Sequence, residues 1–308
     1  RQRHLTIPCE MCIRDSLWHY NVTGPAMGEV FARIAHPGDR VAGSVLSSGS
    51  AGTLAAGTWL RDNHPGAKAA VAEALQCPTI LENGFGDHRI EGIGDKHIPW
   101  IHDVRATDAA IGVDDELPMR FIRLFNEVAG RARLAEAGLQ PELLDRLPWL
   151  GISSLGNLMG AIKFAKYYEL TGQVVVFTVF TDSMAMYQSR LAELSAERGA
   201  SGQRQADRDF ERLQGLSVDH VLELGQVDKR RIHQLKYFSW VEQLGKDVAE
   251  LRAQWDDHHK WWGCLRTQAA EMDALIEDFN AEVRKSSSWP IAGGCCSTAG
   301  PTWPMSTS

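Results

Sequence analysis

A run of small and hydroxyl residues, SSGSAGT at positions 47 to 53, is the stretch best suited to chemistry. The apolar residues 41 to 46 before it predict a short buried strand, and residues 53 to 63 predict the helix that follows. Such a turn leaves backbone N–H groups unpaired at the positive end of the helix dipole, where a phosphate can accept from them. Gly49 and Gly52 let a ligand approach the backbone closely. The stretch therefore predicts a site for a phosphate monoester.

Two common nucleotide sites do not fit this loop. The dinucleotide fingerprint needs a different glycine spacing and an acidic residue for the ribose. A triphosphate loop needs a Gly-Lys-Ser/Thr sequence, which does not follow here. Turns of small residues also join strands to helices without binding anything, so a purely structural role stays open from the loop alone.

The residues around this loop alternate between predicted strands and helices. Strand patterns cover 67 to 74 and 172 to 183, and the second is apolar throughout, as in a central parallel strand. One helical pattern covers 115 to 138, and a second follows a Gly-Ile-Ser-Ser turn at 151 to 154 and runs to residue 170. Residues 77 to 104 are rich in Gly, His and Asp but carry spaced Ile and Trp anchors, which predicts an ordered functional loop. This alternation predicts an α/β fold with a parallel sheet.

Composition narrows the class of protein. The 308 residues are 44% hydrophobic, enough for a large core, and no apolar run approaches the roughly 20 residues of a membrane span. The net charge of −7 argues against a nucleic-acid surface. Six scattered cysteines do not make a disulfide framework, which favours a reducing compartment. We expect a cytoplasmic protein with neither a nucleic-acid nor a membrane partner.

The two ends differ from the middle in composition. Residues 1 to 16 do not begin with Met and have no clear period, so we expect a non-native leader. Residues 286 to 308 are rich in Ser, Gly, Pro, Trp and Cys, and we expect a disordered or non-native tail. Between them we expect an α/β core at 17 to 199 and a helical extension at 200 to 285. Cysteine pairs lie only in the suspect ends, and no metal site is predicted.

Four motifs follow one another between residues 41 and 190: GSAGT, IEGIGDKHIP, GISSLGNLMGAIKFAK and TDSMAMYQSR. In this order they resemble the pyridoxal-phosphate (PLP)-dependent enzymes of the cysteine synthase and tryptophan synthase β type, known as fold type II. The resemblance is to a cysteine-synthase-like bacterial branch. It implies the three-layer parallel-sheet domain of that fold, here incomplete and PLP-binding over residues 17 to 199. It also implies pyridoxal 5'-phosphate as cofactor, a small amino-acid substrate and a homodimer of the full-length enzyme.

The resemblance assigns cofactor contacts residue by residue. The cofactor phosphate would lie on Gly49, Ser50, Ala51, Gly52 and Thr53, where the two hydroxyls add donors. Ala51 stands where the family more often has glycine, at little cost if its φ is negative. Ser153 matches the residue that offers a hydroxyl to the pyridine nitrogen, and such a hydroxyl, unlike a carboxylate, does not hold that nitrogen protonated.

The remaining candidates surround the expected substrate cleft. Gly92, Ile93, Gly94 and Pro99 match the segment that borders it. Further candidates are Ser154, Asp182, Ser183, Tyr187 and His97, although Met184 replaces a family glycine beside Asp182 and Ser183. His88, His97 and His102 are candidates for substrate contact or proton transfer, with a structural role as the alternative.

One expected residue has no counterpart. The Schiff-base lysine and the substrate-carboxylate loop of this family lie far upstream of the phosphate loop, yet the 48 residues before Gly49 contain no lysine. The first lysines, Lys68 and Lys96, are expected on the surface. Without the family's lysine there is no base to take a proton from the substrate Cα.

We therefore expect an N-terminally truncated fragment of an amino-acid lyase or synthase, acting by β-elimination or β-replacement and inactive alone. An ammonia-lyase or deaminase of the same fold is one alternative. A non-catalytic module that binds a phosphate ligand or a partner is the other.

Overall fold

The computed structural model describes residue 13 and residues 15–47, 49–94 and 96–286. The chain divides into two compact units, the first ending at Arg266 and the second beginning at Thr267. The described part of the second unit is helical and exposes Leu275, Ile276, Phe279 and Val283. The predicted tail, most of the predicted leader and the paired cysteines lie outside the described residues.

The described elements are five strands and a larger number of helices. The strands are β1 (Arg40–Ser47), β2 (Lys68–Ala74), β3 (Ala109–Val113), β4 (Val174–Phe177) and β5 (Val221–Glu223). The earlier helices are α1 (Gly24–Ile34), α2 (Gly52–Asn63), α3 (Thr79–Glu82), α4 (Glu116–Asn126), α5 (Val128–Glu136) and α6 (Pro141–Arg146). The later helices are α7 (Ile152–Tyr167), α8 (Gln188–Arg198), α9 (Gln203–Gln214), α10 (Gln226–Lys236), α11 (Val248–Asp256) and α12 (His258–Ser286). Two π-helical segments are His19–Thr23 and Tyr237–Gln243.

The five strands form one sheet in the order β4-β1-β2-β3-β5. The first four of these are parallel, and β5 pairs antiparallel with β3. The predicted α/β fold with a mainly parallel sheet is confirmed.

Helices cover both faces of this sheet. Val45, Ala72 and Ile111 pack with Phe164 of α7 on one face, whereas Leu46, Val71 and Ala110 pack with Leu54 and Leu60 of α2 on the other. Such a three-layer arrangement explains why β1, β2 and β3 are apolar on both faces.

A glycine sets the distance between α7 and the sheet. A Cβ at Gly160 would lie 3.0 Å from Val45 Cγ1 and 3.2 Å from Ala72 Cβ, so only glycine permits this approach without a shift. Close packing fixes the first turn of α7, which carries Ser153, relative to the ends of the strands.

The strand predicted over 172 to 183 is shorter than expected and is not central. It comprises only Val174–Phe177, lies at an edge of the described sheet, and all four residues are half-buried. Its apolar composition has another cause: Val176 packs against the α7 face and Phe177 against the α2 face. An apolar strand of this kind therefore indicates that helices cover both faces of the sheet. It does not indicate that the strand is central in the sheet.

The helix predicted over 115 to 138 is broken in two. Glu127 is extended between α4 and α5, and its carboxylate accepts from Arg123 Nε at 2.7 Å and from the Ser201 amide at 3.2 Å. A Cβ at Gly130 would overlap the Leu124 carbonyl, so the two helices cross at close range. The predicted glycine stop is present, because Gly138 has a φ of +92°.

The extension after residue 200 is helical as predicted, but it also supplies β5. Its residues Val221 and Glu223 pair with Ile111 and Ala109 of β3. The sequence did not predict β5, because three residues are too few to show the alternation of apolar and polar residues that marks a strand. The domain boundaries at 199 and 285 stay predictions. Among the described helices, none is long and apolar enough to span a membrane.

Candidate functional site

A cavity opens beyond the carboxyl ends of β1 and β4. The chain runs from β1 to β2 and β3 in one direction and then returns, through α7, to β4 on the other side of β1. Ligands of open parallel sheets bind at such a reversal, outside the carboxyl ends of the strands. The cavity has a volume of about 170 Å³. It is lined by Asp15, Leu46, Ser47, Gly49, Ser50, Ala51, Gly52, Thr53, Gly92, Ile93, Ser153, Asn157, Val179 and Thr181.

The predicted phosphate loop forms one wall, at the start of α2. The helix begins at Gly52, and its N-cap Ala51 makes no side-chain capping bond. Ala51 has a φ of +65°, so the condition under which alanine would cost little here, a negative φ, is not met. A left-handed residue with a Cβ costs about 1 kcal/mol. Alanine is accommodated because its methyl group is buried, 2% exposed, in the core beneath the loop.

A carboxylate lies on this helix terminus. Ser50 Oγ donates to Asp15 Oδ2 at 2.6 Å, and a Cβ at Gly52 would overlap the same carboxylate. His19 Nε2 is 3.3 Å from the other Asp15 oxygen. A negative group therefore occupies the place predicted for a phosphate, held by a loop hydroxyl and by the space that Gly52 leaves.

The other predicted hydroxyl donor of the loop is already used. Thr53 Oγ1 donates to the Ser47 carbonyl at 3.0 Å, so its proton stabilises the turn and does not face the cavity. Ser47 Oγ in turn donates to Asn157 Oδ1, and Asn157 Nδ2 donates to the Val179 carbonyl at 2.8 Å. The sequence reasoning missed Asn157, although its position four residues after Ser153 places both on one helix face.

The N-terminus of α7 forms the opposite wall. Its N-cap is Gly151, which has no side chain to cap the helix, and Asp182 takes this role. The Ser153 and Ser154 amides donate to the two Asp182 carboxylate oxygens at 2.8 and 2.9 Å. A Cβ at Gly151 would lie 2.5 Å from Asp182 Cγ. The absence of a side chain at Gly151 thus leaves room for Asp182, which follows β4 in the chain, to cap α7 with its carboxylate.

The side-chain hydroxyl of Ser154 points at the same residue. Ser154 Oγ donates to Asp182 Oδ1 and lies 3.1 Å from the Asp182 carbonyl oxygen. Burial alone would raise the pKa of Asp182, but the hydrogen bonds from Ser154 and from the two amides hold it below its usual value. Burial and the Asp182 charge raise the pKa of Tyr187 to about 12. Asp182 is therefore ionised and Tyr187 neutral at physiological pH.

Four further candidates lie outside the cavity lining. Ser154 is fully buried, and Ser183 accepts from the Met186 amide at 3.0 Å in a short turn. Tyr187 is 9% exposed, and its amide donates to the Met184 carbonyl at 3.1 Å. The His97 ring packs at 5.3 Å from the Trp240 ring.

The predicted cleft segment is only partly at the cavity. Gly92 and Ile93 line it, but Gly94 packs against His88, where a Cβ would lie 2.6 Å from Nε2. Pro99 is buried and its carbonyl accepts from the His102 amide at 3.0 Å. His102 is buried too, and this burial, with the nearby Lys236 charge, lowers its pKa to about 3. Its role is structural.

No described residue that lines the cavity is a lysine. Lys68 lies at the amino end of β2, away from the cavity, with Nζ 3.0 Å from Glu223 Oε1. The Lys96 side chain is 66% exposed and lies 3.8 Å from Asp87. Both positions agree with the surface roles expected for these two lysines.

Two buried lysines were not singled out from the sequence. Lys163 Nζ donates to the Gly112 carbonyl at 3.0 Å and to Asp219 at 2.9 Å. Lys236 is 0% exposed and donates at 2.8 Å to the Trp100 and His102 carbonyls and to Gln254 Oε1. Both ammonium groups tie separate segments together. Within the described ranges, no group of three or more His, Cys, Asp or Glu side chains could hold a metal ion.

No protein-family model matches the chain. Among solved structures, it is similar to a hydrogen sulfide-producing enzyme from Fusobacterium nucleatum, with 24% identity, a TM-score of 0.44 and coverage of 68% of this chain and 55% of that chain. An O-acetylserine dependent cystathionine β-synthase from Helicobacter pylori matches at 23% identity, TM-score 0.43, over 57% and 50% of the two chains. A cysteine synthase from Entamoeba histolytica matches at 18% identity, TM-score 0.45, over 64% and 51%. The chain spans about half the length of these structures.

Proposed function

We propose that this chain is the cofactor-phosphate and ring-binding part of a PLP-dependent amino-acid lyase or synthase of the cysteine synthase type. The observation that carries the proposal is one cavity bounded by two helix N-termini, with the predicted phosphate loop on one wall and Ser153 on the other. The four sequence motifs support the same assignment.

Two features of the cavity fit a phosphorylated ligand. A carboxylate already lies against Gly52 and accepts from Ser50, so the loop accommodates an anion. First-turn amides of a helix have no intrahelical partners and point toward such an anion. The bound cofactor phosphate would replace the Asp15 carboxylate there.

Each wall then has a separate task. Gly49 to Gly52 would hold the phosphate through backbone donors and the Ser50 hydroxyl. Ser153 would contact the ring nitrogen from the α7 side, and Asn157 would keep the end of β1 and the segment after β4 together. PLP supplies an electron sink for a substrate carbanion. Gly92 and Ile93 would border the space for the amino-acid substrate.

We infer that the isolated chain binds the cofactor without turning over substrate, because no described cavity residue is a lysine that could accept the Cα proton. Borohydride reduction after incubation with PLP, followed by peptide mapping, tests this inference. We expect only scattered, substoichiometric labelling of surface lysines. A stoichiometric adduct at one lysine, such as Lys68 or Lys96, would show that the chain carries its own Schiff-base residue.

Binding itself is tested by equilibrium dialysis against PLP, with the D15A variant beside the unaltered chain. Removing the competing carboxylate should tighten phosphate binding by about threefold to fivefold, the effect of one charge at a helix terminus. The E29A variant, altered in an exposed carboxylate on α1, is the control and should not differ from the unaltered chain. Equal affinities of D15A and E29A would remove the claim that Asp15 lies on the phosphate site.

The second candidate is a non-catalytic module that binds a phosphate monoester. It is favoured by the same lack of a lysine among the described cavity residues. The two functions are distinguished by measuring the affinity of the chain for PLP and for ribose 5-phosphate. Only the PLP-enzyme function requires the pyridine ring to contribute to binding. Comparable affinities for both would favour the module.

A further inference from the structure

A second cavity lies in the helical extension, between α10, the π-helical segment that continues it, and α11. We call it the extension cavity. Its volume is about 460 Å³, which is within the range of small-molecule sites, about 300–1,000 Å³. It shares no lining residue with the cavity beyond β1 and β4, and the four sequence motifs do not reach it. A ligand bound here would therefore be separate from the proposed cofactor.

Aromatic rings form one part of the wall of the extension cavity. Trp255 lines it from α11, and Tyr237 and Phe238 line it from the π-helical segment. Phe238 is 56% exposed, so its ring is open to a ligand. Such π-helical turns are rare and occur frequently at functional sites. The aromatic faces offer a stacking surface to a planar ring.

Two arginines line the same cavity from different helices. Arg230 lies on α10, with its guanidinium carbon 5.9 Å from the centre of the Trp255 ring, and Arg252 lies on α11. In the part of the chain that the structure describes, neither guanidinium is within salt-bridge distance of a carboxylate. Both are therefore available to a ligand anion, and the planar donors of arginine match the geometry of a phosphate.

The other titratable groups of the lining leave this positive charge in place. His233 Nε2 lies 3.0 Å from the Leu251 carbonyl, and burial, with the nearby Lys236 charge, lowers the pKa of His233 to about 4. The ring is thus neutral at physiological pH. Among the described lining residues Asp256 is the only carboxylate, against two arginines. The lining therefore keeps a net positive charge, which favours an anionic ligand.

The charge of the whole chain limits the size of that anion. The net charge of −7 disfavours a polyanion such as RNA. Two guanidinium groups suit a phosphate dianion better than a single carboxylate. A free phosphate would leave the aromatic wall unused, and an uncharged ring would leave both arginines without an acceptor.

We propose that the extension cavity binds a nucleoside phosphate. The base stacks on the aromatic wall formed by Tyr237, Phe238 and Trp255, and the phosphate accepts hydrogen bonds from Arg230 and Arg252. This binding site is independent of the proposed PLP site, because the two cavities have no residue in common.

The test is calorimetric titration of the full chain with AMP and, in parallel, with adenosine. R252A should weaken AMP binding by about tenfold or more, the loss of a hydrogen bond to a charged group, and leave adenosine binding unchanged. F238A should weaken both ligands by about fivefold or more, because it removes a stacking surface. The R204A variant, altered in an exposed arginine on α9 outside this cavity, is the control and should match the unaltered chain.

AMP is itself a phosphate monoester, so G52A is titrated as well. We expect G52A to bind AMP as the unaltered chain does, whereas loss of AMP binding in G52A would place the nucleotide at the phosphate loop and overturn the proposal. Equal AMP affinities of R252A and R204A would contradict the phosphate contact. Indole-3-acetate, an aromatic ring with one carboxylate, should bind at least about tenfold more weakly than AMP. Tighter binding of indole-3-acetate would assign the cavity to an aromatic acid instead.

Failure of the unaltered chain to bind AMP would refute a nucleotide site in the extension cavity. It would leave the proposed function untouched, because that function is tested by the binding of PLP or pyridoxamine 5'-phosphate. Conversely, a chain that binds AMP but neither of those ligands would refute the proposed function alone.

Discussion

Two helix N-termini face the same cavity, and both lack a capping side chain of their own. The α2 terminus, with Ala51 as N-cap, is met by Asp15, whose side chain is 39% exposed and accepts one hydroxyl from the loop. The α7 terminus, with Gly151 as N-cap, is met by Asp182, which is 9% exposed and accepts from two amides and the Ser154 hydroxyl. One carboxylate is loosely placed and replaceable, whereas the other is built into the fold.

Because the two carboxylates are held so differently, the α2 and α7 walls of the cavity have different roles. A helix N-terminus attracts an anion wherever its amides are accessible. At α2 we expect an incoming phosphate to displace the Asp15 carboxylate, whereas at α7 the Asp182 carboxylate is held by two amides and Ser153 lines the cavity.

The largest expected effect comes from deleting the built-in carboxylate. D182A leaves two amides and the buried Ser154 hydroxyl without their acceptor, which should cost about 3 kcal/mol of unfolding free energy. D15A should change the unfolding free energy by less than about 0.5 kcal/mol, because it removes one half-exposed contact. Urea titrations of both variants check the contrast. Similar losses in the two variants would remove the distinction between a built-in and a replaceable anion.

Acid should reduce the stability contributed by the buried residues His102 and His233 before it affects the contribution of Asp182 at the α7 terminus. Burial lowers the pKa of His102 to about 3 and that of His233 to about 4, from 6.5. Because these folded-state values are depressed, their stabilisation is complete above pH 6.5 and is lost as pH falls from there toward 4. The Asp182 contribution persists below that range, because its pKa is lowered from an already acidic value.

We expect each of the two histidines to account for a loss of about 2 kcal/mol between pH 7 and 5, since the unfolded imidazole takes up its proton below pH 6.5 and one pKa unit is worth about 1.4 kcal/mol. Urea titrations at both pH values measure this loss. The H233Q variant should show a smaller loss than the unaltered chain, and the exposed-site control H259Q the same loss. A loss in H233Q equal to that of the unaltered chain would contradict a neutral His233 in the folded protein.

The space at Gly52 offers a sharper test of the α2 terminus. In G52A the new methyl group fills the position of the Asp15 carboxylate, so phosphate affinity should fall by about tenfold or more, roughly 1.4 kcal/mol. Folding should change little, because Asp15 is half-exposed and can move. G172A is the matched control, since a Cβ there meets nothing within 4 Å. Unchanged affinity in G52A would place the anion elsewhere.

The smallest expected effect is at Ala51. Glycine adopts a φ of +65° without the Cβ penalty, but it loses more entropy on folding and gives up a buried methyl group. A51G should therefore change the unfolding free energy by no more than about 1 kcal/mol and leave phosphate affinity unchanged. A large loss of affinity would mean that the Ala51 methyl group shapes the site itself.

The sequence predicted those structural features that depend on residues close to one another in the chain. The β1 strand, the glycine-rich turn and α2 follow from a local apolar run and its breakers, and the four motifs indicate which residues gather at the cavity. Asp182 as a cap for α7 could not be predicted, because it needs a contact across 29 residues. The φ of Ala51, the edge position of β4 and the short β5 likewise depend on distant packing, which overrides local preference.

Calorimetric titration with pyridoxamine 5'-phosphate and, in parallel, with unphosphorylated pyridoxamine tests the central claim most directly. Neither ligand needs a lysine, and they differ only in the group assigned to the α2 terminus. We predict saturable one-to-one binding of the phosphorylated ligand, lost in G52A, and binding of pyridoxamine weaker by about a hundredfold, or about 2.7 kcal/mol. Equal binding of both ligands, or no binding of either, would contradict a phosphate site at Gly49 to Thr53.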